Sequence, residues 1–121
     1  MKRVVIESPL AGNVERNQFY ARLCVLDCLR RGEAPYASHL LYAHPDVLDD
    51  SVPTERKLGM EAGFAWGAQA ELCVVYLDLG VSRGMAAGAD RARAALVSVE
   101  HRHLPDDLLA RFRARYPEEV G

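Results

Sequence analysis

The chain has 121 residues, of which 50% are hydrophobic and 26% charged, and its formal net charge is −2 at pH 7. A chain of this length forms one domain around one core, and its charge gives no electrostatic reason to bind nucleic-acid polymers, which require a concentrated positive face. Its apolar runs are shorter than the ~20 residues of a membrane span, and its start lacks the apolar stretch of a signal peptide. We therefore expect one cytoplasmic domain over residues 1–121, without a membrane partner.

The first predicted unit is a strand, a turn and a helix. Val4-Val5-Ile6 is apolar without polar alternation, which predicts a strand covered on both faces over about residues 3–7. After the turn Ser8-Pro9-Leu10-Ala11-Gly12, Asn13 is a suitable N-cap for a helix that ends near residue 31, before Gly32. We expect this helix to turn Asp27 toward water and to bury an apolar face. That face comprises Val14, Ala21, Cys24, Val25, Cys28 and Leu29.

The first turn is a candidate binding site. In an open α/β sheet, ligands bind beyond the carboxyl ends of the strands, and free N–H groups at the start of a helix favour anions. We therefore predict a small anionic ligand, such as a nucleotide, over residues 8–17, with Arg16 assisting from the first helical turn. In the alternative interpretation, Gly12 only supplies a positive φ and Asn13 only caps the helix.

A short second strand, about residues 35–38, precedes a long connection without a clear period, residues 39–52. Connections of this length are often functional. His39 would face the rim of the site, either contacting the ligand as a hydrogen-bond donor or general acid, or binding its own loop. Asp49 and Asp50 could bind sugar hydroxyls, or one of them could begin the next helix.

The second long helix, opened by Ser51-Val52-Pro53, carries a stripe of glycines. Gly59, Gly63 and Gly67 are each four residues apart, although an interior glycine costs up to ~1 kcal/mol relative to alanine. Such a stripe predicts close approach by another element. That element is either the sheet of the same chain or the same helix of a second subunit, and we expect a homodimer or homotetramer.

The remaining elements repeat the first unit. Leu72–Leu77 predicts a central strand, the turn after Asp78 leads into a helix that ends near residue 95, and residues 96–100 form a fourth strand. Residues 105–116 form an amphipathic C-terminal helix. This alternation predicts a flavodoxin-like three-layer α/β sandwich with a parallel sheet of four or five strands. The turns after strands one and three would then meet at one pocket.

The cysteines indicate packing, not metal binding. Cys24 and Cys28 share a helix face, and Cys73 lies in an apolar strand, where free cysteine behaves as a small hydrophobe. His101 and His103 supply at most two ligands, fewer than a zinc site needs. We expect neither a metal nor another cofactor.

Five short motifs of the chain recur in the same order in a family of small phage and bacterial proteins. They are Ser8-Pro9-Leu10-Ala11-Gly12-Asn13, Ser38-His39-Leu40-Leu41, Leu48-Asp49-Asp50, Glu55-Arg56-Lys57-Leu58-Gly59-Met60 and Gly80-Val81-Ser82-Arg83-Gly84-Met85. That family resembles the nucleoside 2-deoxyribosyltransferase fold, a flavodoxin-like parallel sheet. The resemblance covers about residues 3–103 and implies a domain that binds a nucleoside or nucleotide.

The resemblance also implies a reaction. Deoxyribosyltransferases and N-glycosidases break the bond between base and sugar, and a Glu carboxylate captures the anomeric carbon while another group assists departure of the base. Many relatives read Ser-x-Gly-Met-x-x-Glu at the segment that begins here with Ser82 and ends with Gly88, so glycine replaces the nucleophile. Asp78 is then the predicted catalytic carboxylate, and Asp50 and Glu61 are other carboxylates that could enter the pocket. The alternative is a noncatalytic nucleotide-binding module.

The predicted ligand site combines the two turns with the long connection. On the glycosidase hypothesis, Gly88→Glu should raise base release by restoring the missing carboxylate. The predicted ligand-contacting residues are Ser8, Gly12, Asn13, Arg16, His39, Asp50, Ser82, Gly84 and Met85.

Overall fold

A computed structural model describes residues 1–117 as four parallel strands and five helices. In chain order they are β1 Lys2–Glu7, α1 Val14–Arg30, β2 Glu33–Tyr36, α2 Ser38–Leu41, α3 Pro53–Gly67, β3 Leu72–Tyr76, α4 Arg83–Ala94, β4 Ser98–Arg102 and α5 Asp106–Arg115. The strand order is β2-β1-β3-β4, and all neighbours are parallel. The predicted flavodoxin-like α/β sandwich is confirmed. Residues 118–121 of the predicted domain lie outside the described residues.

The sheet is covered on both faces because its two central strands carry continuous apolar runs, residues 4–6 in β1 and residues 72–76 in β3. Successive side chains of a strand point to opposite faces. Side chains of both β1 and β3 therefore contribute to two core clusters, one on each face of the sheet. One cluster packs against α1 and α5, and the other packs against α4. The first includes Val4, Ile6, Val74 and Tyr76, and the second includes Val5, Cys73 and Val75. The cysteines at 24, 28 and 73 are buried and free, as predicted.

Two strands are displaced from their predicted bounds. β2 begins at Glu33, immediately after the positive-φ turn at Gly32. β4 begins at Ser98, because α4 ends in a turn whose exposed Leu96 has a φ of 61°. A one-turn helix, α2, occupies the start of the connection that the sequence predicts to be irregular.

The buried face of α1 differs from the prediction. Val14 and Leu29 are 42% and 49% exposed, whereas Asp27 is buried. The Asp27 carboxylate accepts a hydrogen bond of 2.7 Å from the Tyr76 hydroxyl and one of 3.1 Å from Arg31 Nε. These bonds offset the desolvation of the carboxylate. Asp27 can therefore lie under the helix because β3 supplies a partner.

A buried ion pair on the same face joins β4 to β2. Arg102 donates two hydrogen bonds of 2.7 Å to the Glu33 carboxylate, and the two side chains are only 6% and 12% exposed. Hydrogen bonding from Arg102 lowers the pKa of Glu33. Bidentate geometry of this kind fixes orientation as well as charge, so the pair ties the last residue of β4 to the first residue of β2.

The glycine stripe of α3 packs within this chain. A Cβ at Gly63 would lie 2.8 Å from Ser38 Oγ and 2.9 Å from Ser38 Cβ, and a Cβ at Gly67 would lie 3.8 Å from the methyl groups of Val5. The stripe therefore admits α2 and the sheet of the same chain, which is the first of the two predicted alternatives. The homodimer or homotetramer stays a prediction.

Substitution at two of these glycines should separate close packing from helix propensity. Ser38 cannot retreat without moving α2, so Gly63→Ala should lower the free energy of unfolding by roughly 1–3 kcal/mol. At Gly67 there is room for the added methyl group, so Gly67→Ala should raise the free energy of unfolding by up to ~1 kcal/mol. Urea denaturation followed by circular dichroism measures both changes. Equal stability of the two variants would contradict the packing described for α3.

Candidate functional site

A cavity of about 310 Å³ opens beyond the carboxyl ends of β1 and β3. The end of β1, α2, the middle of α3 and the first turn of α4 all contribute to its lining. β1 lies between β2 and β3, so the chain leaves β1 toward one side of the sheet and later returns on the other. Ligands of open α/β sheets bind at this kind of switch point. We refer to this cavity as the switch-point cavity.

The turn after β1 is held by Asn17, a fully buried residue of α1. Its side-chain amide donates to the carbonyl oxygens of Leu10 and Ala11, at 2.9 and 3.0 Å. Its side-chain oxygen accepts from the Arg16 guanidinium at 2.7 and 2.9 Å. Asn17 is not among the ligand or capping residues predicted from the sequence. The available signal is an amide side chain within the buried face of a helix, where it needs partners.

Three predicted ligand residues do not line the switch-point cavity. Gly12 has a φ of 99° in the turn, and Asn13 caps α1 by accepting a 3.1 Å hydrogen bond from the Arg16 backbone N–H. The guanidinium of Arg16 binds Asn17. Gly12 and Asn13 therefore have the turn and cap roles of the alternative interpretation, and Arg16 supports the turn.

Asp78, the predicted catalytic carboxylate, also lies outside this cavity. It accepts hydrogen bonds from the Tyr20 hydroxyl at 2.6 Å and from the Leu104 backbone N–H at 2.9 Å, and it lies 3.1 Å from His103 Nδ1. Its side chain is only 3% exposed. Asp78 therefore joins α1 to the segment after β4. The sequence predicts it at the end of the strand, whereas β3 ends at Tyr76, two residues earlier, and the Asp78 side chain points to the α1 side of the sheet.

Glu7 is the carboxyl group that β1 brings to the cavity. It is the last residue of β1, and burial raises the pKa of its side chain to about 8. Within residues 1–117 no hydrogen bond or ion pair joins this carboxyl group to another side chain. At pH 7 Glu7 is therefore mainly neutral and can donate a hydrogen bond to a ligand.

Glu7 fills the space that a side chain on residue 88 would need. An ideal Cβ at Gly88 would lie 2.4 Å from both Cδ and Oε2 of Glu7, and 2.5 Å from Oε1. Gly88→Glu alone therefore cannot add a carboxylate here without displacing Glu7, which corrects the expectation of a simple gain in base release. Glu7 is not among the site residues predicted from the sequence, although an acidic residue that ends an apolar strand is a usable signal.

Ser8 and His39 form a hydrogen-bonded pair in the same cavity. Ser8 Oγ and His39 Nε2 are 2.7 Å apart, and Ser8 is buried. Burial lowers the pKa of His39 to about 4, so its imidazole is neutral at pH 7 and has one donor and one acceptor nitrogen. The other predicted ligand residues that reach the cavity are Asp50, Ser82, Gly84 and Met85.

The first turn of α4 presents its backbone to the cavity. Ser82 caps the helix by accepting a 3.2 Å hydrogen bond from the Met85 backbone N–H. A Cβ at Gly84 would approach only Ser82 Oγ, at 3.9 Å, so this part of the turn is open. Among residues 1–117 no three His, Cys, Asp or Glu side chains cluster to hold a metal ion. No helix in this range is long and apolar enough to cross a membrane.

The fold and the cavity define a flavodoxin-like α/β protein with a ligand-sized pocket at its switch point. The chain belongs to the family described as "Domain of unknown function (DUF7768)", whose model matches residues 2–102. The match includes all four strands and the whole lining of the cavity, but not α5. No curated protein matches the chain.

The buried carboxyl of Glu7 should make stability depend on pH. Its pKa is about 8 in the folded protein, against 4.5 for an ordinary Glu. The carboxyl group therefore loses its proton first in the unfolded chain, and the contribution of Glu7 to the free energy of unfolding falls as pH rises between these values. Glu7→Gln should remove this pH dependence. Its total size is about 1.4 kcal/mol for each unit by which the folded and unfolded pKa values of Glu7 differ. Urea denaturation at several pH values measures it.

Glu61→Gln is the matched control, because Glu61 is exposed on α3 and does not line the cavity. Because the buried His39 titrates in all of these proteins, the effect of Glu7 is a difference between them: from pH 4.5 to pH 8, wild type and this control should lose stability in parallel relative to Glu7→Gln. A Glu7→Gln variant with the same pH dependence as wild type would show that Glu7 is ionised in the folded protein.

Proposed function

We propose that this protein cleaves the N-glycosidic bond of a nucleoside or nucleotide bound in the switch-point cavity, with Glu7 as the reacting carboxyl group. The observation that carries the proposal is the position of Glu7, whose carboxyl group occupies the space left by Gly88 and borders the cavity. The resemblance implies that many relatives have a Glu at the position of residue 88. A carboxyl group from β1 thus takes the place of one from α4.

The neutral state of Glu7 favours the role of a general acid. A carboxyl group with a pKa near 8 holds its proton at pH 7, and carboxylic acids in apolar pockets serve as proton donors in this way. The C1′–N bond breaks with its electron pair on the base nitrogen, and Glu7 donates its proton to the leaving base. Water then adds to the oxocarbenium-like C1′ and returns a proton to Glu7.

The size and the other polar groups of the cavity suit this ligand. A volume of about 310 Å³ lies at the lower end of the ~300–1,000 Å³ range of small-molecule sites. The neutral Ser8–His39 pair offers hydrogen bonds to sugar hydroxyls or to base edges. Asp50 lines the cavity from the connection before α3, where its carboxylate can accept hydrogen bonds from the sugar.

A noncatalytic nucleotide-binding module is the second candidate. The same pKa favours it, because a neutral carboxyl group cannot attack the anomeric carbon as the family's Glu does. A binding protein would keep the cavity and its hydrogen-bonding groups without turning over the ligand. Product analysis separates the two candidates.

The first test is release of a free base. We would incubate the protein with the four 2′-deoxynucleosides, the four ribonucleosides and their 5′-monophosphates, and analyse the filtrate by liquid chromatography and mass spectrometry before and after heating. We expect a free base from wild type and from the Glu61→Gln control. Glu7→Gln should lower kcat/KM by at least roughly 100-fold, the effect of losing a general acid. An intact nucleotide released only by heating would instead support the binding module.

The second test exchanges the carboxyl group between its two positions. Gly88→Glu alone should destabilise the protein, because its Cβ would lie 2.4 Å from the Glu7 carboxyl. The double variant Glu7→Ala, Gly88→Glu removes the clash, so we expect it to fold and to release base faster than Glu7→Ala. Thermal denaturation and base release measure the two effects. A folded double variant that is no faster than Glu7→Ala would contradict a shared position.

A further inference from the structure

We infer that the ligand of the switch-point cavity carries a phosphate group, as a nucleoside 5′-monophosphate does, and that Arg56 and Arg83 bind it. This inference rests on the proposed function and names the form of the substrate. It moves the anion site from the turn at residues 8–17, where the sequence analysis placed it, to the side of the cavity formed by α3 and α4.

The charge of the cavity favours an anionic ligand. Its titratable lining residues are Glu7, His39, Asp50, Arg56 and Arg83. Burial keeps the first two neutral at pH 7, so one carboxylate faces two guanidinium groups. The cavity is therefore positive by one charge, although the whole chain has a net charge of −2. An anionic ligand would compensate this local excess.

Neither of the two guanidinium groups has all of its hydrogen-bond donors bound by protein groups. Arg83 has no side-chain hydrogen bond, ion pair or ring contact within residues 1–117. Arg56 Nη1 is 4.0 Å from Asp50 Oδ2, which is too long for a hydrogen bond. By contrast, Arg102 has two hydrogen bonds to Glu33, and Arg91 lies 4.7 Å above the ring of Phe64. Arg56 and Arg83 thus have donors available for a phosphate.

The lining of the cavity changes from neutral groups inside to charged groups at its opening. Ser8 is buried, and Glu7 and His39 are mostly buried, whereas Arg56 and Arg83 are exposed at the opening. An uncharged base and sugar fit among the neutral groups inside, where burial of a phosphate would be costly. The phosphate then remains near the opening, where planar guanidinium groups can bind its oxygens in pairs.

The experiment compares each 2′-deoxynucleoside with its own 5′-monophosphate by isothermal titration calorimetry of wild type. We expect the monophosphate to bind at least roughly tenfold more tightly, with a preference that weakens as salt is added. Arg56→Gln and Arg83→Gln should each reduce this preference without changing nucleoside affinity. Arg93→Gln is the control, because it removes the same charge from an exposed position on α4 outside the cavity.

Each outcome decides between the two proposals. Equal affinity for nucleoside and monophosphate overturns the phosphate inference, while base release from the nucleoside would still support the proposed cleavage. A monophosphate that binds through both arginines and is recovered intact supports the phosphate inference and overturns cleavage. Competition with inorganic phosphate tests whether the site binds free phosphate instead of the phosphate group of a nucleotide. Inorganic phosphate that binds as tightly as the monophosphate would overturn the inference.

Discussion

The site depends on a steric constraint between the end of β1 and the middle of α4. The Glu7 carboxyl and a side chain at residue 88 cannot occupy the same space, because an ideal Cβ there would lie 2.4 Å from the carboxyl carbon. Glycine at this position lets α4 pack on the sheet through Met85 and Ala89 while the carboxyl group stays beneath the helix. The same packing removes water from Glu7 and so raises the pKa of its side chain.

The burial of Glu7 has a cost in stability. A carboxyl group buried without a partner lowers stability once it ionises, and within residues 1–117 none is provided for Glu7. Asp27 and Asp78 show the opposite solution, since each accepts hydrogen bonds from a tyrosine and at least one further donor. The absence of such compensation at Glu7, beside a ligand-sized cavity, supports the role proposed for this carboxyl group.

The cavity combines neutral groups inside with cationic groups at its opening. Neutral Glu7 and His39 suit hydrogen bonding to an uncharged base or sugar, and the exposed arginines suit an anion. Flavodoxin-like sheets support many activities, so the fold does not by itself select one. Here the selection rests on the carboxyl group and on the charge around it. A carboxyl group supplied from a strand instead of a helix would retain the resembled chemistry with a different first step.

The sequence alone determined the elements other than α2 and their order, because continuous apolar runs, the Asn13 cap and the alternation of strands and helices are local signals. It also predicted that the turns after β1 and β3 meet, since parallel strands end at one edge of the sheet. Six of the predicted ligand residues accordingly line one cavity. Only the tertiary structure decided the side on which each strand-end carboxylate lies. It turned Asp78 toward Tyr20 and placed Glu7 against Gly88, because burial and partners come from elements far away in the chain.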